Sequence, residues 1–150
     1  MEYTDAVEIV SELFGIDSWD VGEYGERAAI LDNHIEIRVL QAAQNVMIVQ
    51  GMFGDPISNM SIANANETAL RYLLQANFIQ IIHSDDVLSI DKRTERLATT
   101  RRVPLFSTSL ELIIDSIESF VHSIDFWDMA LQRKQPAAIA SPLLGFFRKK

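Results

Sequence analysis

The chain has no cysteine. That excludes disulfides, thiolate metal sites and a cysteine nucleophile, and it fits a reducing compartment. No apolar run approaches the ~20 residues of a membrane span. The opening Met1-Glu2-Tyr3-Thr4-Asp5 lacks the basic and apolar regions of a secretory signal. The expectation is a cytoplasmic protein, in which the sequons at Asn59 and Asn66 are chance matches. The first 26 residues hold eight acids and no base, and residues 133–150 hold five bases and no acid. Removing those five bases from a net charge of −8 leaves residues 1–132 near −13. Such a body repels phosphate backbones, so neither nucleic acid nor membrane is expected as a partner. It suits a partner segment that carries basic residues.

Catalytic signatures are missing as well. His34, His83 and His122 fall on different expected elements without ligand-like spacing, so no metal site is expected. Asp85-Asp86 reads as a hairpin turn, since no acids follow at calcium-loop positions. Gly51-Met52-Phe53-Gly54 lacks the lysine and the context of a phosphate loop, and there is no Gly-x-Ser-x-Gly elbow. Glu23 with Glu26, or Asp17 with Asp20, could pair as acid and base, but they sit among solvated acids. Arg101-Arg102 is the one basic pair in the body; adjacent strand residues point to opposite faces, so it reads as a solvated edge. No cofactor and no enzymatic activity are expected.

What is present is a core. The 150 residues are 48% apolar, and a domain of this size buries roughly 70% of its unfolded surface. Tyr3, Val7, Val10 and Phe14 form one stripe, which predicts a helix over Asp5–Phe14 with Asp5 and Glu8 as a cap pair and Gly15 as the stop. Residues 16–26 read as a loop. Residues 27–53 read as a three-stranded antiparallel meander. Its middle strand alternates at Ile35, Ile37 and Val39, a turn lies at Ala42–Asn45, and Val46–Val49 is expected to be covered on both faces.

Asn66 is the expected cap of a short helix with Leu70, Leu73 and Leu74 on its stripe. Phe78–Ile82 and Val87–Ile90 read as strands, Lys92–Glu95 as a charged turn, and Leu97–Leu105 as a last strand that lies at an edge or ends at Pro104. Thr108-Ser109-Leu110-Glu111 matches a capping box. The helix after it is apolar at Leu110, Ile113, Ile117, Phe120, Ile124, Trp127 and Leu131, with Ile114 and Val121 widening the stripe enough to cover a sheet. The expected fold is therefore α+β: one domain over residues 1–132, with an antiparallel twisted sheet flanked by helices. Residues 133–150 are expected to form a flexible basic and apolar tail.

The ordered set resembles a class I type III secretion chaperone of the Tir-chaperone (CesT-like) family. The residues that carry the likeness are Leu73-Leu74-Gln75-Ala76-Asn77-Phe78, similar to the family's ending of its second helix. Val87-Leu88-Ser89-Ile90-Asp91, Arg102-Val103-Pro104-Leu105 and the aromatic close Phe120, Phe126, Trp127 and Leu131 complete it. The likeness covers residues 3–131. It implies a bacterial homodimer built on Leu70, Leu73, Leu74 and Phe78. It further implies that the N-terminal region of one or more secreted effectors is bound in extended form, in apolar grooves and by strand addition. The groove residues expected are Ile9, Leu13, Phe14, Ile35, Ile37 and Met47. The secretion-apparatus ATPase is a further candidate contact. Leu143, Leu144, Phe146 and Phe147 in the tail resemble an effector anchor, so the tail reads as a flexible remnant, an occupant of the protein's own groove, or a contact for the apparatus. A generic α+β adaptor domain without a secretion role is the competing reading.

Overall fold

The computed structural model describes residues 1–32, 34–53, 74–75, 77–78, 86–91, 93–106 and 109–132, the last three by backbone only. Among the described residues, two long helices lie over one face of a six-stranded antiparallel sheet. Helix α1 runs Tyr3–Phe14. It starts two residues before the expected position, because Glu2 takes the cap place without a side-chain hydrogen bond. Asp5 instead stands in the first turn, where a carboxylate favours the positive end of the helix dipole. Gly15 ends α1 at φ 70°, and the Ile16 N–H reaches back to the Ser11 carbonyl at 2.8 Å. A left-handed residue is what lets that stop close, and glycine takes this conformation without a Cβ clash.

The region read as a loop after α1 contains a two-residue strand, β1 (Asp20–Val21). Then follow β2 (Arg27–Leu31), β3 (Ile35–Ala43), β4 (Val46–Phe53), β5 (Asp86–Ile90) and β6 (Leu97–Pro104). The strand order is β1-β2-β3-β4-β6-β5. The meander β2–β3–β4 is antiparallel as the short connections required. Its second turn is tighter than expected: β3 continues to Ala43 through an irregularity between Gln41 and Ala43, and Gln44-Asn45 make the turn.

Ile35, Ile37 and Val39 point inward with Met47, Val49 and Phe53 of β4. The expectation that Val46–Val49 is covered on both faces is corrected. Met47 and Val49 are buried, while Val46 and Ile48 are only half-buried on the outer face, so within this chain the run is sealed on one side.

Three other expectations change here. Asp86 is the first residue of β5 and is 1% exposed, not part of a turn. Its carboxylate is buried because a cation is buried beside it. β6 is flanked by β4 and β5, so it is not an edge. Pro104 is its last residue and pairs only with Val46 of β4, three positions beyond the Asp86–Arg101 pair that begins β5, so its missing N–H costs no ladder bond there. Phe78 lies in helical backbone with Leu74, Gln75 and Asn77, so no strand starts at it. Leu70, Leu73, residues 79–85 and the proposed cap Asn66 lie outside the described residues. The turn after β5 is held by Asp91, whose Oδ2 accepts from the Thr94 N–H at 2.9 Å and its hydroxyl at 2.6 Å. Those bonds hold the Asp91 carboxyl below its ordinary pKa.

Helix α2 (Leu110–Gln132) closes the core. Ser109 Oγ accepts from the Leu112 N–H at 3.2 Å. The side-chain cap is thus one residue later than expected, and Thr108 lies outside the described residues. Ile113, Ile117, Phe120, Ile124 and Trp127 are all buried, as the steps of three and four require. Leu110 stands exposed at the helix start. The Leu131 side chain and residues 133–150 lie outside the described residues. α1 touches α2 and β4, and Phe14 meets Phe120 edge-on with centroids 6.4 Å apart. Gly51 marks the closest approach of sheet and helix: a Cβ there would collide with Ile124 Cδ1.

Candidate interaction surface

Arg101 and Arg102 go to opposite faces, as adjacent strand residues must, but the pair is not a solvated edge. Arg102 is exposed and Arg101 is 4% exposed. On the inner face, Arg101 sits directly opposite Asp86 in the β5–β6 ladder. Its Nε and Nη2 donate to the two Asp86 carboxylate oxygens at 2.5 and 2.9 Å. Its Nη1 donates to the Ser116 carbonyl of α2, and its guanidinium lies 5.6 Å from the Phe120 ring centroid. A bidentate fork with a carbonyl and a ring face satisfies a buried cation. The cluster ties β5, β6 and α2 together and leaves no open side for a substrate.

His34 joins the β2–β3 turn to the far end of α2. Its Nδ1 faces the Asp32 carbonyl at 2.7 Å, and its Nε2 faces both Asp128 carboxylate oxygens at 3.0 Å. Both acceptors lack a proton, so only the doubly protonated ring donates to both. The Asp128 hydrogen bond, then the Asp32 one, raise the His34 pKa above its ordinary 6.5. His122 is exposed and His83 lies outside the described residues. Among the described residues no group of three or more His, Asp or Glu could hold a metal ion. Glu23, Glu26, Asp17 and Asp20 are not drawn into such a group.

Several large apolar side chains also face solvent. Leu74 and Phe78 are 71% and 67% exposed. Four residues apart in helical backbone, they share one face. Ile9, Leu13 and Phe14 of α1 are half-buried, packed on the core from the side. The other three groove candidates are placed differently. Ile35, Ile37 and Met47 are buried beneath the helices, so they are not an open surface of this chain. The period-two alternation that singled them out marks a buried face, and it cannot tell a groove from a core.

The outer sheet face was missed by sequence reasoning. Leu40 pairs with Ile48, and Val46 with Pro104, giving a half-buried to exposed apolar patch. It is bordered by Arg38, Gln50 and Arg102, with Val87 exposed on β5. Glu36 forms an ion pair with Arg38 Nε at 2.8 Å on the same face, with Arg96 Nη1 at 3.8 Å. The signal was the unbroken apolar run Val46–Val49, whose outer members need a cover. Ile30, Phe106 and Leu112 are further exposed apolar side chains. Of these, the side chains that adjoin one another on the outer sheet face are the candidate interaction surface, since contiguous rather than scattered apolar exposure is what accompanies binding sites. Among the described residues, no helix is long and apolar enough to cross a membrane.

Comparison with known proteins agrees with this architecture. The sequence model of the Tir chaperone protein (CesT) family matches residues 15–128. No curated protein matches the sequence. Among solved structures, a chain of the ExsC–ExsE complex is similar with a TM-score of 0.62 and 18% identity, over 87% of this chain and 97% of that one. A chain of the HopA1–SchA chaperone–effector complex gives a TM-score of 0.59 and 12% identity, over 85% and 93%. The Yersinia pestis type III secretion chaperone SycH, in complex with a stable fragment of YscM2, gives 0.58 and 14%, over 86% and 98%.

Proposed function

The chain belongs to the Tir chaperone protein (CesT) family, and on that premise we propose that it is a cytoplasmic type III secretion chaperone. It binds the N-terminal region of one or more secreted effectors in extended form and keeps them soluble until export. The observation that carries this reading is the family match over residues 15–128, which runs from the end of α1 almost to the end of α2. The fold and family are those of chaperones, and holding an unfolded segment requires surface rather than reacting groups. A generic adaptor role has no comparable support.

Two finer points belong to the proposal. The protein acts as a homodimer through Leu70, Leu73, Leu74 and Phe78, of which Leu74 and Phe78 stand exposed in the single chain. The cargo surface includes Ile9, Leu13 and Phe14 of α1, while Ile35, Ile37 and Met47 support it from the core. The test is co-expression with the N-terminal half of a secreted protein encoded beside this chain. A soluble complex of two copies of this chain and one cargo chain by light scattering is the expected result. A monomer that leaves the cargo insoluble would sink the reading.

A further inference from the structure

Helix α1 carries three stripes. Ala6, Val7 and Val10 are buried in the core. Asp5, Glu8 and Glu12 are exposed and fall within about 60° of one another around the axis. Ile9 and Leu13 stand between the two, half-buried. A half-covered apolar strip edged by carboxylates fits a segment that combines large apolar side chains with bases.

The chain contains one such segment. Pro142-Leu143-Leu144-Gly145-Phe146-Phe147-Arg148-Lys149-Lys150 has four large apolar residues followed by three bases, and no acid occurs after Asp128. Its reach is sufficient. Phe14, at the end of α1, touches Phe120 of α2. From Phe120 to Gln132, the last residue of α2, is about 18 Å along the helix axis. Residues 143–147 follow Gln132 by about 11 to 15 residues, an extended span of roughly 36–50 Å.

We propose that residues 143–150 dock in cis on the Ile9–Leu13 flank of α1. Leu143, Leu144, Phe146 and Phe147 cover the apolar strip, and Arg148, Lys149 and Lys150 face Asp5, Glu8 and Glu12. Cargo then displaces them. The proposal rests on reading this flank as part of the cargo surface. A short tether holds the segment at an effective concentration on the order of millimolar, so a weak contact suffices. Covering the strip also removes an exposed apolar surface from solution when no cargo is bound.

Because the chain has no native cysteine, disulfide trapping in the full-length protein tests this directly. In Glu12→Cys/Gly145→Cys, oxidised glutathione should close an intramolecular disulfide at least tenfold faster than in the control Arg102→Cys/Gly145→Cys, whose first site is on the outer sheet face. Adding Asp5→Lys and Glu8→Lys, both at exposed positions, should slow the trapping severalfold, as should high salt. Equal rates in the two cysteine pairs would overturn the proposal. So would a disulfide that forms only between two chains, which would seat a second copy on the strip. The co-expression assay is read separately. Cargo capture without trapping removes this inference alone, and trapping without cargo capture removes the chaperone reading together with the displacement step.

Discussion

His34 has its two ring nitrogens set against two oxygen acceptors, so its charge is written into its geometry. The folded pKa lies above 6.5, so the clasp to Asp128 contributes stability that is fully present below pH 6.5 and is lost as pH rises through the folded value. The side chain is 35% exposed, and solvent screening keeps the effect small. His34→Ala should therefore lose stability against the parent protein at pH 5.5, with the gap narrowing toward pH 9, as read by urea unfolding. A gap that does not change with pH would refute the assignment. Asp86 and Arg101 make a larger claim. Removing one partner strands a buried charge, so Asp86→Ala should cost about 3–5 kcal/mol, whereas Asp86→Leu with Arg101→Met should come close to the parent. Denaturant midpoints of the three proteins decide it. Neither pair was legible in the sequence. Asp86 read as a turn and Arg101 as an edge because ladder partners 15 residues apart are fixed by strand register, which composition does not reveal.

Elements were more legible than contacts. The stripe Tyr3, Val7, Val10 and Phe14 announced α1, and the unbroken steps from Ile113 to Trp127 announced α2, because both helices bury one side on a sheet. The alternation at Ile35, Ile37 and Val39 announced β3. The two-residue β1 carried no period at all, and the place of β6 between β4 and β5 is a topological fact that local pattern does not encode. Gly51 is similar: in the sequence it is one more strand residue, but in the fold it is where β4 lets α2 approach. Gly51→Ala pushes a methyl into Ile124 and should cost about 1–3 kcal/mol. Ile124→Val removes the obstructing Cδ1, so the double variant should be more stable than the sum of the two single losses predicts. Strict additivity in thermal unfolding would show that the two residues do not compete for space.

At the scale of the whole molecule, surface decides function. The family and chaperone fold were legible from the ordered set of elements, whereas the cargo surface was only partly so. Periodicity placed Ile35, Ile37 and Met47 correctly on one face, but that face turned out to be the interior. Leu74 stands exposed in the single chain, so in the proposed dimer Leu74→Asp should leave the protomer folded and make it a monomer in light scattering. A variant that remains a dimer would move the interface elsewhere. The strand order also bears on how the protein is made. β1 to β4 pair with sequence neighbours, yet the far edge of β4 is completed only by β6, and among the described residues β5 has no sheet neighbour except β6. A chain still emerging from the ribosome therefore carries an unpaired apolar strand edge until Pro104 is out, the kind of edge that recruits other chains. Nascent chains stalled with Ile90 just exposed should be degraded readily by added protease and held by general chaperones. Chains stalled after α2 has emerged should resist both.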